Sequence, residues 1–323
     1  MTPTLQVRVN AKRAETADIC VLELTAPDGA ALPAFAAGAH VDVFLPGLPA
    51  RQYSLCNDPS ETHRYVLGVL REPASRGGSR AVHDDVAQGD TLTIGAPRNH
   101  FALVPGAARS VLLAGGIGVT PILAMAETLW AEGTDFAFHY CARSLDRAAF
   151  RDRIAQAPWA GRAHMHLDDG APDQRLDLAA TLADAGPGVH LYVCGPTGFL
   201  DWVKRTAAAS GWDDANVHAE YFAGAPVETQ AGDHAFDVEI AETGQVVHVP
   251  ADQTVLHALL AAGLDIPNSC EEGVCGMCQT RVLDGTPDHR DNFLTKAERA
   301  ANDCFMPCCS RITGDRVVIS TDY

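Results

Sequence analysis

No stretch of about 18 consecutive apolar residues occurs in the 323-residue chain, so no segment is expected to cross a membrane as a helix. Basic residues are scarce beside acidic ones. The 24 Lys and Arg against 41 Asp and Glu leave a net charge of −17, which speaks against a nucleic acid as partner. Such an acidic surface suits solubility, or docking onto a basic patch of another protein. The opening run Met1–Asn10 carries no apolar signal core, so a cytoplasmic location is expected, with cysteines reduced or bound to metal. There is no internal repeat. The G-K-[ST] ending of a P-loop is missing, and so is the third glycine of G-x-G-x-x-G. Only one C-x2-C knuckle is present, where structural zinc sites commonly pair two.

What the chain does have is ten cysteines, four of them in a telling pattern. Cys270, Cys275 and Cys278 lie in N-S-C-E-E-G-V-C-G-M-C-Q, and Cys308 follows 30 positions after Cys278 in M-P-C-C-S-R. The spacing C-x4-C-x2-C with one distant cysteine is the plant-type [2Fe–2S] arrangement. One short loop supplies three thiolates, and the fourth returns from elsewhere in the fold. Gly273 and Gly276 suit such a loop, because glycine accepts positive φ and lets amides approach sulfur. A structural zinc site or buried free thiols are the alternatives.

Length and 47% hydrophobic content allow two or three globular domains. Up to about residue 104 the chain shows short alternating runs at Leu5–Val9, Ile19–Leu24, His40–Phe44, Tyr65–Leu70 and Thr91–Ile94, which predict an antiparallel barrel or sandwich. Between 110 and 224 the apolar runs Val111–Ala114, Phe136–Cys141 and Val189–Cys194 are each followed by a helical pattern, the mark of a parallel sheet. The Gly-, Ala- and Pro-rich stretch 223–232 reads as a linker. Beyond it, Phe236–Ile240 and Val246–Val249 flank a turn as a hairpin, and a helix over about 254–262 leads into the cysteine loop.

In Val111-Leu-Leu-Ala-Gly-Gly-Ile-Gly-Val-Thr-Pro121, a strand meets a glycine turn and a helix start, with Thr120 expected as N-cap and Pro121 as first helical residue. A second strand end, Leu191-Tyr-Val-Cys-Gly-Pro196, is expected at the same edge of the sheet, where ligands of such sheets bind. In the first zone, Arg51, Tyr53 and Ser54 with the loop Ser75-Arg-Gly-Gly-Ser79 provide a cation, an aromatic, hydroxyls and glycine amides. That set suits a phosphorylated aromatic cofactor, although each piece alone is ordinary strand and turn.

In this order, the runs Arg51–Asp58, Arg76–Ser79, Gly115–Pro121, Cys194–Pro196, Cys270–Cys278, Asp288–Asp291 and Pro307–Arg311 resemble the phthalate dioxygenase reductase family of Rieske oxygenase reductases, over essentially the whole chain. The resemblance implies a multidomain protein. An antiparallel β-barrel flavin domain would span 1–106, and an α/β parallel-sheet nucleotide domain of ferredoxin reductase type 107–224. A linker at 225–234 would then lead to a C-terminal β-grasp, plant-type ferredoxin domain at 235–323. It implies that Arg51, Gln52, Tyr53, Ser54, Val69, Gly77, Gly78 and Ser79 bind FMN. Thr120 would reach the flavin or nicotinamide, and Gly116, Gly118, Cys194, Gly195 and Pro196 would line the nicotinamide site. Phe222 would lie near the flavin ring, and Cys270, Cys275, Cys278 and Cys308 would hold the [2Fe–2S] cluster.

The expected function is an oxidoreductase that passes electrons from NADH through FMN and the cluster to a terminal Rieske-type oxygenase in aromatic degradation, as a monomer. Two alternatives stand beside it. One is a reductase for a cytochrome P450 or a carnitine-type Rieske monooxygenase; the other is a redox sensor with a structural cluster or zinc. NADH rather than NADPH follows the family: Arg143, Ser144 and Arg147 suit a 2′-phosphate, whereas Asp146 in the same turn repels one. Cys308 is favoured over Cys309 as fourth ligand, since successive side chains of a strand face opposite ways. Asp288–Asp291 and Glu271–Glu272 are candidates for a docking face, or else a solvated loop.

Overall fold

The computed structural model describes residues 3–73, 77–183, 186–222 and 229–322, which fall into two compact units, one ending at Phe222 and one from Thr229 onward. Residues 74–76, including Ser75 and Arg76 of the expected phosphate loop, and 225–228 of the expected linker lie outside the described residues.

The first unit opens with a seven-stranded antiparallel sheet. Its order is Arg51–Ser54, Ala39–Phe44, Thr91–Gly95, Thr4–Ala14, Ile19–Thr25 and Tyr65–Leu70, with Arg98–Asn99 added to Ala39–Phe44. A bridge between Leu55 and Leu67 joins the two outer strands, so the sheet nearly closes into the expected barrel. Val7, Val9, Leu22, Leu24, Val41, Leu67, Val69 and Ile94 fill its interior. The alternating runs of the sequence lie in these strands.

The same unit continues into a five-stranded parallel sheet. Its order is Ala163–Leu167, Asp135–Ala142, Arg109–Gly115, Val189–Cys194 and Val217–Glu220. The strands Ala163–Leu167 and Val217–Glu220 go beyond the three runs legible in the sequence. Helix Val119–Ala131 is buried along nearly its whole length. Its Ile122, Leu123, Met125 and Ala126 share one apolar core with Leu112, Phe138 and Tyr192 of the sheet and with Ile19, Val21, Cys56 and Val66 of the barrel. That shared core makes the barrel and the parallel sheet one packing unit.

The second unit is a mixed sheet in the order Val246–Val249, Phe236–Ile240, Arg316–Ser320, Thr280–Asp284 and Cys304–Phe305. The first two strands form the predicted hairpin, and Phe236–Ile240 runs parallel to Arg316–Ser320. Helix Val255–Ala261 buries Val255, Leu256, Ala258 and Leu259 against this sheet, and the Thr254 side chain caps it by accepting from the His257 amide at 3.1 Å. A sheet crossed by one helix, with the cysteine loop following that helix, is the β-grasp arrangement expected. Asp233 and His234, within the expected linker, are tied to this unit: Asp233 pairs with Arg290 at 2.5 Å, and the His234 carbonyl accepts from Arg311 at 2.8 Å.

Candidate functional site

In the parallel sheet the chain order reverses between Arg109–Gly115 and Val189–Cys194, and ligands of open α/β sheets bind outside the carboxyl ends at such a reversal. Both glycine turns singled out in the sequence sit there. A β-carbon on Gly118 would lie 2.2 Å from the Cys194 carbonyl oxygen, and one on Gly195 would lie 3.0 Å from the Gly115 α-carbon. The two turns therefore touch backbone to backbone. Gly116 adopts φ 54° and has nothing within 4 Å of its missing β-carbon.

Thr120 is not the N-cap. A 3-10 turn over Gly116–Gly118 runs directly into the helix Val119–Ala131, which puts Thr120 and Pro121 inside it. The Thr120 hydroxyl donates to the Ile117 carbonyl at 3.0 Å, while its methyl group abuts Gly68 of the barrel.

Three polar side chains from distant parts of the first unit converge beside this turn. Glu220 ends the strand paired with Val189–Cys194, directly opposite Cys194. Its Oε2 lies 3.4 Å from Ser54 Oγ of the barrel and 3.9 Å from Cys194 Sγ. Sequence reasoning singled out Ser54 and Cys194 but missed Glu220. The available signal was its position two residues before Phe222, on a strand too short to read.

Burial pushes the Glu220 carboxyl up to about 8, and the hydrogen bonds from Ser54 and Cys194 only partly offset it. In the unfolded chain the group titrates near 4.5, so between the two values the folded chain holds a proton that the unfolded chain has released. The associated stability is complete below the lower value and is lost as pH rises through the window. The thermal midpoint of the first unit is expected to fall from about pH 5 to about pH 8, and Glu220→Gln to flatten that fall. An unchanged slope in the variant would assign the effect to another group.

The barrel side of the site is built on the strand Arg51–Ser54 and the helix Gly78–Asp84. The Arg51 side chain lies where a β-carbon on Gly78 would be, 2.5 Å from Cγ, so a side chain there would displace the guanidinium arm. Gly77 holds φ 107° at the helix start, and no side chain caps that end. A guanidinium beside a glycine-led helix start fits a phosphate. Gln52 donates to buried Asp42 at 3.2 Å, and Ser79 Oγ accepts from the Glu72 amide at 3.2 Å. Tyr53 packs against the barrel core, and burial raises its phenol. Val69 is buried inside the barrel, with its carbonyl 2.9 Å from the His83 ring. Phe222, at the end of the unit, is 42% exposed.

In the second unit the four motif cysteines form two pairs. The Cys270 thiol is within hydrogen-bonding reach of Cys275, and Cys278 of Cys308. Amides point at the loop sulfurs, Glu272 N–H to Cys270 Sγ at 3.3 Å and Met277 N–H to Cys275 Sγ at 3.5 Å. The Cys270 thiol is shifted down, first by the Cys275 thiol and then by the amides of Glu272, Val274 and Cys275. Gly273 and Gly276 both hold φ 70°, and a β-carbon on Gly276 would strike the Phe293 ring at 2.2 Å. Two thiols for each of two irons is the donor set of a [2Fe–2S] cluster.

Cys308 and Cys309 lie in a turn and not in a strand, because the Cys309 and Ser310 amides both bond to the Met306 carbonyl. The alternation argument against Cys309 therefore does not apply. Asp291 is not a surface acid. It is only 2% exposed, with its carboxylate accepting from the Phe293 and Leu294 amides at 3.0 and 2.7 Å, so it belongs to the loop's scaffold and not to a docking face.

Among known proteins, the chain is 56% identical over 298 residues to a vanillate O-demethylase oxidoreductase of Pseudomonas putida, covering 92% of this chain and 93% of that one. It also matches a solved phthalate dioxygenase reductase, described as a modular structure for electron transfer from pyridine nucleotides to [2Fe–2S]. That match has 36% identity, a TM-score of 0.73 and 98% coverage of both chains. The chain belongs to the phthalate dioxygenase reductase family. Like the family, it is an oxidoreductase, the reductase component of an oxygenase system. Residues 238–313 match the family model of the 2Fe-2S iron-sulfur cluster binding domain, and 96–217 that of the dimethylamine monooxygenase subunit DmmA-like N-terminal domain. A solved type IV self-sufficient cytochrome P450 monooxygenase shares 42% identity and a TM-score of 0.88 over 98% of this chain, which spans 41% of that longer one. As in these relatives, the reductase chain works with an oxygenase. Among the described residues, no helix is long and apolar enough to cross a membrane.

Proposed function

We propose that this reductase takes a hydride from NADH at the junction of barrel and parallel sheet, on FMN held by the barrel, and delivers single electrons through a [2Fe–2S] cluster to a Rieske-type oxygenase acting on an aromatic acid. Bound flavin supplies the change from a two-electron hydride to one-electron transfers, which the cluster alone does not make. The observation that carries the reading is the convergence of Ser54, Cys194 and Glu220, which joins a barrel residue to the sheet's ligand-binding edge. Arg51, Gly77, Gly78 and Ser79 would grip the phosphate, with Gln52, Tyr53 and Val69 along the flavin. Gly116, Gly118, Thr120, Cys194, Gly195 and Pro196 would shape the nicotinamide side, and Phe222 would cover the ring. Glu220 would hold its proton beside the reacting atoms at neutral pH. Cys270 with Cys275, and Cys278 with Cys308, would each bind one iron. The assigned parts are 1–106 for flavin, 107–224 for nucleotide and 235–323 for the cluster, joined by 225–234 in a monomer.

NADH is favoured by the turn after Asp135–Ala142. The Ser144 hydroxyl donates to Asp146 at 2.5 Å, and Arg147 pairs with Asp18 of the barrel at 3.3 Å, so a 2′-phosphate would meet the Asp146 carboxylate and an engaged arginine. Asp146→Ser is expected to raise kcat/KM for NADPH several-fold while changing that for NADH little. Steady-state rates with both nucleotides check this, and an unaltered ratio would place the discrimination elsewhere.

The test is the visible spectrum of the purified protein, followed by NADH without oxygen. Flavin and iron–sulfur bands that bleach together are expected; a protein without either chromophore would overturn the reading. A cytochrome P450 partner is the second reading, favoured by the similarity to the self-sufficient P450. Reduction rates with a purified Rieske oxygenase and a purified P450 separate the two.

A further inference from the structure

A fifth cysteine meets the four at the cluster loop. Cys309 is 6% exposed, and its thiol lies within hydrogen-bonding reach of Cys308. Its sulfur fills the space that Gly273 leaves, for a β-carbon on Gly273 would lie 2.4 Å from Cys309 Sγ. Gly273 sits between Cys270 and Cys275, so this sulfur has the cluster loop on one side and Cys308 on the other. Its other polar neighbours are the Met306 carbonyl at 3.8 Å, the Ser310 hydroxyl at 3.9 Å and the Asp291 carboxylate. Because the segment is a turn, adjacent side chains here share a side, which a strand would forbid.

We propose that Cys309 is a reserve iron ligand, able to replace Cys308 on the iron that Cys308 shares with Cys278. The inference rests on the [2Fe–2S] reading above. In the exchange the iron–sulfur bond to Cys308 breaks and that thiolate takes up a proton. Cys309 releases a proton and forms the new bond, and the irons keep their oxidation state. Both donors are soft thiolates, so the exchange keeps the ligand chemistry and needs only a side-chain rotation and a small adjustment of the turn. Cys304 does not serve in this way. Its sulfur accepts from Gln279 Nε2 at 3.2 Å, and its backbone is paired with Arg281.

The test compares the full-length wild type with Cys308→Ala and Cys308→Ala/Cys309→Ala, each reconstituted anaerobically with ferrous iron and sulfide. The readouts are iron and acid-labile sulfide per chain, and the electron paramagnetic resonance spectrum after chemical reduction. Cys308→Ala is expected to keep most of its iron and sulfide with shifted g values, and the double variant to lose both. Equal contents in the single and double variants would overturn the proposal. Should Cys308→Ala lack the thermal transition of the cluster-free wild type, the Cys308→Ser and Cys308→Ser/Cys309→Ser pair is decided by the same criterion. A wild type that binds no iron would instead remove the [2Fe–2S] reading itself.

Discussion

Replacing Cys275 with Ala is expected to abolish electron delivery to the oxygenase while leaving NADH oxidation by ferricyanide close to wild type. Cys275 pairs with Cys270, so its loss would leave the proposed iron site there with a single protein thiolate. Outer-shell changes at metal sites already cost about 10–100-fold in affinity, and loss of a direct ligand should exceed that. The proposed hydride site should be untouched, because Ser54, Cys194, Glu220 and both glycine turns belong to the unit that ends at Phe222 and has its own core. The measurement is a pair of rates on one preparation, oxygenase reduction and ferricyanide reduction, together with iron content. Oxygenase reduction that survives the loss of iron would break the proposed order of electron flow. If both rates collapse together, the two units are not functionally separable.

Gly118→Ala is expected to be nearly as damaging, at the other end of the relay. Its β-carbon would lie 2.2 Å from the Cys194 oxygen, 2.4 Å from the Cys194 carbonyl carbon and 2.6 Å from the Gly195 nitrogen. All three are backbone atoms, so no rotamer change relieves the clash, and the two turns must move apart. A displacement of about 1 Å in a reacting geometry can lower the rate by about 100-fold, and kcat/KM for NADH should fall on that order. The spectrum of the cluster should be unchanged. Gly116→Ala is the control. It has open space around its β-carbon but φ 54°, so it meets a backbone penalty of about 1–2 kcal/mol without a collision. A Gly118→Ala enzyme with normal NADH kinetics would mean that the turn contact does not shape the nicotinamide site.

The glycines show where sequence reasoning was strong and where it stopped. Gly273 and Gly276 were read as loop glycines from spacing alone, and both hold positive φ. Gly118 was read as part of a ligand turn, yet its role is contact with the second turn, 76 positions away in the chain. Thr120 was misplaced because a capping residue before a proline is the ordinary local pattern, whereas here a 3-10 turn already starts the helix. Asp291 belongs to a run expected as a docking face or a solvated loop, but it is buried, with one carboxylate oxygen accepting from two amides of its own loop and lying near Arg299.

The sequence by itself determined the elements that depend on near neighbours. These are the alternating barrel strands, the β–turn–helix units, the hairpin and the three loop cysteines whose spacing iron chemistry constrains. Only the tertiary structure decided which residues from different segments share a site. It placed Glu220 against Ser54 and Cys194, paired Cys278 with Cys308, set Cys309 behind Gly273, and merged barrel and parallel sheet around one helix. The physical reason is range. Backbone preference and side-chain periodicity act over a few residues and leave a local trace, whereas burial and cross-chain contact act between residues whose separation along the chain carries no signal.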